Sequence, residues 1–227
     1  MSEAQIWDEI AAHYDDIARV FGTGYPAVRA RLARDVSGGR VLEVAAGTGQ
    51  FTLDLARLAD RLVAVDISPA MVGRLRDVLA SAGVGDVEVA VGSAYELAVR
   101  DQAFDVVFCA GALQIMEAPT RALVEFRRVL RPGGLLIAPT FLHASGGSDV
   151  PSGPRVSPSA TSAAGGPAAV EGRGGRAPGL TQTLFDLDGL VALVAAAGFD
   201  VVDAEEIPGR VPIGYVTARR PDAVALT

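Results

Sequence analysis

The chain has a single cysteine, Cys109, and no lysine at all: its twenty basic residues are all arginine. One cysteine excludes an internal disulfide and a cysteine-built metal cluster, and it agrees with a reducing compartment. The lack of lysine speaks to codon usage rather than to function. No apolar run reaches the roughly 18 to 20 residues that a membrane span needs. The opening Met-Ser-Glu-Ala-Gln is acidic where a signal segment would be basic and then apolar. A cytoplasmic protein without a membrane span is therefore expected. Positive charge is short as well: 20 basic against 27 acidic residues give a formal charge of −7. That balance argues against a dedicated nucleic-acid binder, because phosphate contacts need surplus cations. Histidine occurs only as His13 and His143, and no His, Cys and carboxylate cluster has metal-ligand spacing, so no metal is expected.

Half of the 227 residues are hydrophobic, enough for one full core and one domain spanning 1–227. Residues 3 to 20 read as an amphipathic helix, with Ile6, Ile10, Tyr14 and Ile17 at helical spacing. Pro26 opens a second helix to about Asp35, so that 1–36 forms a pair of leading helices. From Gly39 onward strands and helices alternate, as a doubly wound α/β sheet requires. Strands are expected at 40–44, 62–65, 87–91, 104–108 and 135–138, and later at 199–205 and 212–218. The helices expected between them cover 49–59, 69–82, 119–130 and 186–197. A short helical turn is expected at 94–97, and the Arg131-Pro-Gly-Gly134 run reads as the turn before the fifth strand. Residues 144–182 are Gly, Ser, Pro and Ala with scattered Arg and no periodicity, a low-complexity insertion.

The most informative stretch is Val41-Leu-Glu-Val-Ala-Ala-Gly-Thr-Gly-Gln-Phe-Thr52. It reads as a buried strand, a turn almost free of side chains, and a helix start, so a ligand can lie against the backbone there. Asp66 ends the next strand in an acid, and Glu43 puts another inside the first. A dinucleotide-binding oxidoreductase shares the glycine turn and the acid, but its third glycine would fall at Thr52. Three further blocks, Val63-Ala-Val-Asp-Ile-Ser-Pro-Ala-Met71, Phe104 to Gln114 and Leu130 to Ile137, stand in a fixed order after the first.

In these four blocks the chain resembles a class I S-adenosylmethionine (SAM)-dependent methyltransferase of the small-molecule, type 11-like kind. The resemblance implies a Rossmann-like sheet of seven strands in the order 3-2-1-4-5-7-6, with strand 7 antiparallel. It also implies SAM as methyl donor, S-adenosylhomocysteine as product, and a small-molecule acceptor methylated at O, N or C. The other readings are a SAM-binding protein without turnover, given that 144–182 stands in place of the family's helical substrate lid, and an NAD(P)-dependent oxidoreductase.

Carried over from that family, Asp66 accepts hydrogen bonds from the ribose hydroxyls, with a plain turn acid as the alternative. Glu43 lies near the methionine amino group, or else has a structural hydrogen-bonding role. Gly47 and Gly49 allow close approach of the cofactor, and Ala45 replaces the family's first glycine, a methyl tolerated if its φ is negative. Ile67 packs on adenine or belongs to the core. Ser93 stands where the family often has an acid for the adenine amine, and Ala94 offers its N–H to the ring. Tyr14, in a Tyr-Asp pair with Asp15, approaches SAM from the leading helices or is a boundary residue. Cys109, Ala110 and Gly111 line the sulfonium position, Cys109 as a small pocket residue without being a nucleophile. Gln114 replaces a histidine often seen there, and His143, beyond the fifth strand, is a candidate to orient or deprotonate the acceptor. Oligomeric state is not legible.

Overall fold

The computed structural model describes residues 2–143, 183 and 185–222; the insertion expected at 144–182 lies outside them. Seven strands form one sheet in the order β3-β2-β1-β4-β5-β7-β6. The parallel part is β3 (Glu88–Val91), β2 (Arg61–Asp66), β1 (Arg40–Val44), β4 (Phe104–Phe108) and β5 (Leu130–Phe141). At the other end β7 (Ile213–Arg219) runs antiparallel to both β5 and β6 (Asp200–Ile207). This is the expected topology, with strand 7 antiparallel. The outermost strand β6 carries Asp200, Asp203, Glu205 and Glu206, charges that discourage edge-to-edge pairing with another chain.

Strand alternation divides the core. Leu42, Val44 and Val107 pack with Leu123 and Phe126 of α6 (Pro119–Val129) and with Leu190 and Val194 of α7 (Leu187–Ala196). Val41 and Phe108 point the other way, toward Val28 and Leu32 of α3 (Tyr25–Asp35) and Leu55 of α4 (Thr52–Leu58). By the same period of two, Glu43 shares the α4 side with Val41. Helix α5 (Pro69–Ser81) begins where the sequence says it should, with Ser68 accepting the Met71 N–H and Pro69 in the first turn.

Three expectations are corrected. The first helix is not continuous: α1 (Glu3–Ile10) and α2 (Tyr14–Phe21) are separated by a 3-10 turn at Ala11–His13. That bend lets Trp7 and Tyr14 meet edge to face, ring centroids 6.3 Å apart. Residues 94–97 are not helical; a bridge between Ser93 and Glu96 closes a turn there. The Arg131-Pro-Gly-Gly run does not precede β5 but bulges within it, since Leu130 pairs with Phe104 and Leu135 with Val106. The bulge is held by Arg220, whose carbonyl accepts from Gly133 N and whose N–H donates to Gly134 O, both at 2.9 Å.

Candidate cofactor cleft

The C-terminal ends of β1, β2, β3 and β4 open on one cleft of about 630 Å³, its open mouth included. Parallel strands place it there because their carboxyl ends face the crevice where strand order reverses. The glycine turn after β1 forms its floor. Ala46 N donates to Val65 O at 3.1 Å, Gly47 N to the Asp66 Oδ2 at 2.8 Å, and Gly49 N to Ala46 O at 3.0 Å. Ala45 sits at φ +57°, not in the negative region that the expectation required. A β-carbon in left-handed backbone costs roughly 1 kcal/mol, so the bonds around it hold a mildly strained turn.

Asp66 is 7% exposed and lines the cleft. Its Oδ2 accepts from Gly47 and its Oδ1 from Ser68 N at 2.9 Å. Burial pushes its pKa up, and these backbone bonds pull it back down. Each carboxylate oxygen can accept more than one bond, so capacity remains for hydroxyls in the cleft. Glu43 is elsewhere: it is 2% exposed, does not line the cleft, and its Oε2 accepts from the Thr52 hydroxyl at 2.6 Å. Burial is the main reason its pKa is raised to about 8. Gly49, at φ +96°, also lies off the cleft; a β-carbon there would meet Leu75 Cδ1 at 2.7 Å, so this glycine admits α5.

The leading helices roof the cleft. Asp8 accepts from Ser68 Oγ at 2.5 Å and Ala70 N at 3.0 Å, docking α1 on the start of α5. Asp15 accepts from Thr48 Oγ1 at 2.6 Å, Gln50 Nε2 at 3.1 Å and Arg74 at 2.8 Å, docking α2 on the glycine turn. These bonds hold Asp15 below the usual carboxylate range against the opposing effect of burial. Tyr14, one residue before, then lines the cleft over Gly47, whose added β-carbon would lie 3.4 Å from its ring. Burial, with help from Asp66 and Asp15, pushes the Tyr14 phenol up to about 12.

Of the remaining expected residues, Ala45, Ile67 and Ala94 line the cleft and Ser93 does not. The Ser93 hydroxyl accepts from Tyr95 N at 3.2 Å. Cys109 is fully buried in the core, where burial raises its thiol to about 12; its neighbours Ala110 and Gly111 reach the cleft instead. Gln114, 4% exposed, donates from Nε2 to Gly111 O at 2.7 Å and so props the cleft wall from behind. His143 donates its backbone N–H to Phe185 O at 2.7 Å and is not part of the lining. Sequence reasoning did not place Glu3, Trp7, Tyr95, Ile115 or Met116 in the site, yet all five line the cleft. For Glu3 and Trp7 a signal existed: they are four residues apart on one helix, hence on one face.

The charged side chains lining the cleft, Glu3 and Asp66, are both acids. A ligand carrying positive charge and a vicinal diol fits such a lining, and SAM has a sulfonium, an ammonium and a ribose. The backbone from Ala45 to Gly47 carries almost no side chain, and the Asp66 carboxylate lies on the same lining.

Comparison with known proteins follows the same line. Residues 42–138 match the family model described as a methyltransferase domain. The ubiquinone/menaquinone biosynthesis C-methyltransferase UbiE of Hahella chejuensis is 35% identical over 146 residues, 61% of this chain and 59% of that protein. The demethylmenaquinone methyltransferase of Renibacterium salmoninarum is 35% identical over 150 residues, 63% of this chain and 60% of that protein. The chain thus spans about three fifths of these relatives. The DhpI–SAH complex structure shares the fold, with a TM-score of 0.70 at 22% identity over 98% of this chain and 99% of the other. The strand order, the glycine turn and the acid after β2 agree with that match, so residues 42–138 are similar to a methyltransferase domain and the chain has the fold of class I SAM-dependent methyltransferases.

Proposed function

We propose that the protein binds SAM in this cleft and transfers its methyl group to a small, largely apolar acceptor in a cytoplasmic setting. The observation that carries the reading is the Asp66 carboxylate, bonded to the Gly47 and Ser68 N–H groups and lining the cleft beside the glycine turn. SAM supplies an activated methyl on a sulfonium, so the main task left to the protein is to place the two reactants in line. Asp66 would hold the ribose, and the turn from Ala45 to Gly47 the methionine chain. Tyr14 would close the cleft from above and exclude water.

The acceptor class follows from what surrounds the methyl end. Trp7, Tyr14, Gly111, Ile115 and Met116 offer rings, a thioether and aliphatic surface. His143, Cys109 and Glu43 lie off the lining, and the Tyr14 phenol, raised to about 12, is a poor base near neutral pH. An acceptor that brings its own nucleophilicity, such as an electron-rich phenolic ring, suits such a site better than a protonated amine. The two relatives named for quinone biosynthesis point to the same chemistry. No helix among the described residues is long and apolar enough to cross a membrane.

The deciding experiment is incubation of the purified chain with methyl-labelled SAM and a panel of hydroquinones, phenols and amines, with products read by mass. Transfer to phenolic rings is expected. Binding of S-adenosylhomocysteine without transfer to any acceptor would leave a SAM-binding protein without turnover, and failure to bind either SAM or S-adenosylhomocysteine would sink the reading altogether.

A further inference from the structure

The far end of the cleft, past Asp66, is formed by Ile67, Gly92, Ala94 and Tyr95. If the cofactor lies with its sulfonium over Ala45 and Gly111, its base is here. A purine with an exocyclic amine presents two N–H donors, and the family resemblance led to Ser93 as their acceptor. That hydroxyl is turned into its own loop, accepting from Tyr95 N, and lies off the lining. Nothing on the β3 loop itself then offers a charged acceptor to the base.

An acceptor reaches this end from another element. Glu3 stands in the first turn of α1, is half-buried and lines the cleft. Its position is set at both ends of the helix. The Ser2–Gln5 capping box fixes the first turn, with Gln5 N donating to Ser2 Oγ at 3.3 Å and Ser2 N to Gln5 Oε1 at 2.8 Å. Further along, Asp8 ties the helix to Ser68 and Ala70, two and four residues beyond Asp66. Glu3 has no ion pair among the described residues, and its nearest charged neighbours are Glu117 and Asp66. Burial and Glu117 accordingly raise its pKa. A carboxylate in such a setting gains most from an N–H donor supplied by the ligand. Beside it the Tyr95 hydroxyl is buried, and its approach to the carboxylate works against that rise.

We propose that the Glu3 carboxylate accepts a hydrogen bond from the exocyclic amine of the cofactor's adenine, so that the roof helix α1, and not the loop after β3, reads the base. The proposal rests on the cofactor reading above. It assigns to α1 a second task besides covering the cleft, namely discrimination between adenine and a purine that carries an oxygen in place of the amine. That oxygen would face the carboxylate with no hydrogen between them.

The test is calorimetric titration of the full chain with S-adenosylhomocysteine and S-inosylhomocysteine, which differ at that position. The wild type should prefer the adenosyl ligand by about tenfold or more, the size expected for one charge-assisted bond. In Glu3→Ala the preference should fall to about twofold or less through weaker adenosyl binding, with an unchanged melting temperature. Glu3→Gln, whose amide can accept from the amine or donate to the oxygen, should also lose the preference while binding both ligands. Glu117→Gln, which removes a neighbouring acid that does not line the cleft, is the control and should keep it. An undiminished preference in Glu3→Ala, or its loss in Glu117→Gln alone, overturns the proposal and leaves the cofactor reading standing. A wild type that binds neither ligand overturns both.

Discussion

The Thr52 hydroxyl donates to Glu43 across 2.6 Å, a bond between a fully buried side chain and one 2% exposed. It joins the first residue of α4 to the middle of β1. The hydroxyl also stands where a dinucleotide-binding turn would carry its third glycine, so the residue that disfavours that class is the one that satisfies the buried acid. Replacing Thr52 with Val removes the donor and keeps the shape. The expected loss is roughly 1 to 3 kcal/mol, the usual penalty for a buried polar group left without its partner, read by denaturant unfolding. Loss below a few tenths would mean that water replaces the hydroxyl.

Glu43 should also shape the dependence of stability on pH. Its pKa is raised from 4.5 to about 8 in the folded protein. A carboxyl raised by folding contributes fully below its unfolded pKa, and that contribution is lost as pH climbs through the folded value. The ligand-free protein should therefore lose stability between about pH 4.5 and pH 8. Glu43→Gln, which keeps an acceptor for Thr52, should flatten most of that slope. A remainder is expected from Asp66, whose pKa burial also raises. A melting-temperature series across this range checks it, and identical slopes in wild type and variant would show that Glu43 does not hold a proton there.

Asp66 has two separable tasks. It organises the turn by accepting from Gly47 and Ser68, and in the proposed complex it holds the ribose. Asp66→Ala should weaken SAM binding by at least about tenfold and lower stability as well, since two buried N–H groups lose their acceptor. Asp66→Asn keeps one acceptor oxygen and should be intermediate in both. Unchanged affinity in calorimetry would place the cofactor elsewhere.

Ala45 offers a gain. At φ +57° its β-carbon costs roughly 1 kcal/mol, partly offset by the lower backbone entropy of an unfolded alanine relative to glycine. Ala45→Gly should raise the melting temperature slightly or leave it alone, whereas Ala45→Val should lower it clearly. A fall in the glycine variant would show that the methyl packs favourably despite its backbone.

The sheet was legible because its signals are local. Val41, Leu42 and Val44 announce a strand buried on both faces, and Ser68-Pro69 a helix start, whatever surrounds them. The extension of β5 was not, since Arg131-Pro-Gly-Gly has the composition of a stop and only the later pairing with Arg220 turns it into a bulge. Half of the site was legible for the same reason. Ala45, Gly47, Asp66 and Ile67 sit on or beside strands whose ends define the cleft. Gly49 is a glycine for packing against Leu75, and Glu43 faces α4, two outcomes that depend on which helix covers which face. Glu3, Tyr95 and Met116 reach the cleft only through docking of segments far apart in sequence.

That docking carries a consequence for the order in which the chain assembles. Asp8 and Asp15 take partners at Ser68, Ala70 and Arg74, sequence separations of 60, 62 and 59. Asp15 can meet Thr48 and Gln50 of the glycine turn earlier, at separations of 33 and 35. Helix α1 must wait until β2 and the start of α5 exist, so the floor of the cleft is built before its cover is complete. What assembles last across such long loops, on a handful of bonds, is also a natural first segment to detach, which makes the route into the finished cleft a partial retracing of its own folding.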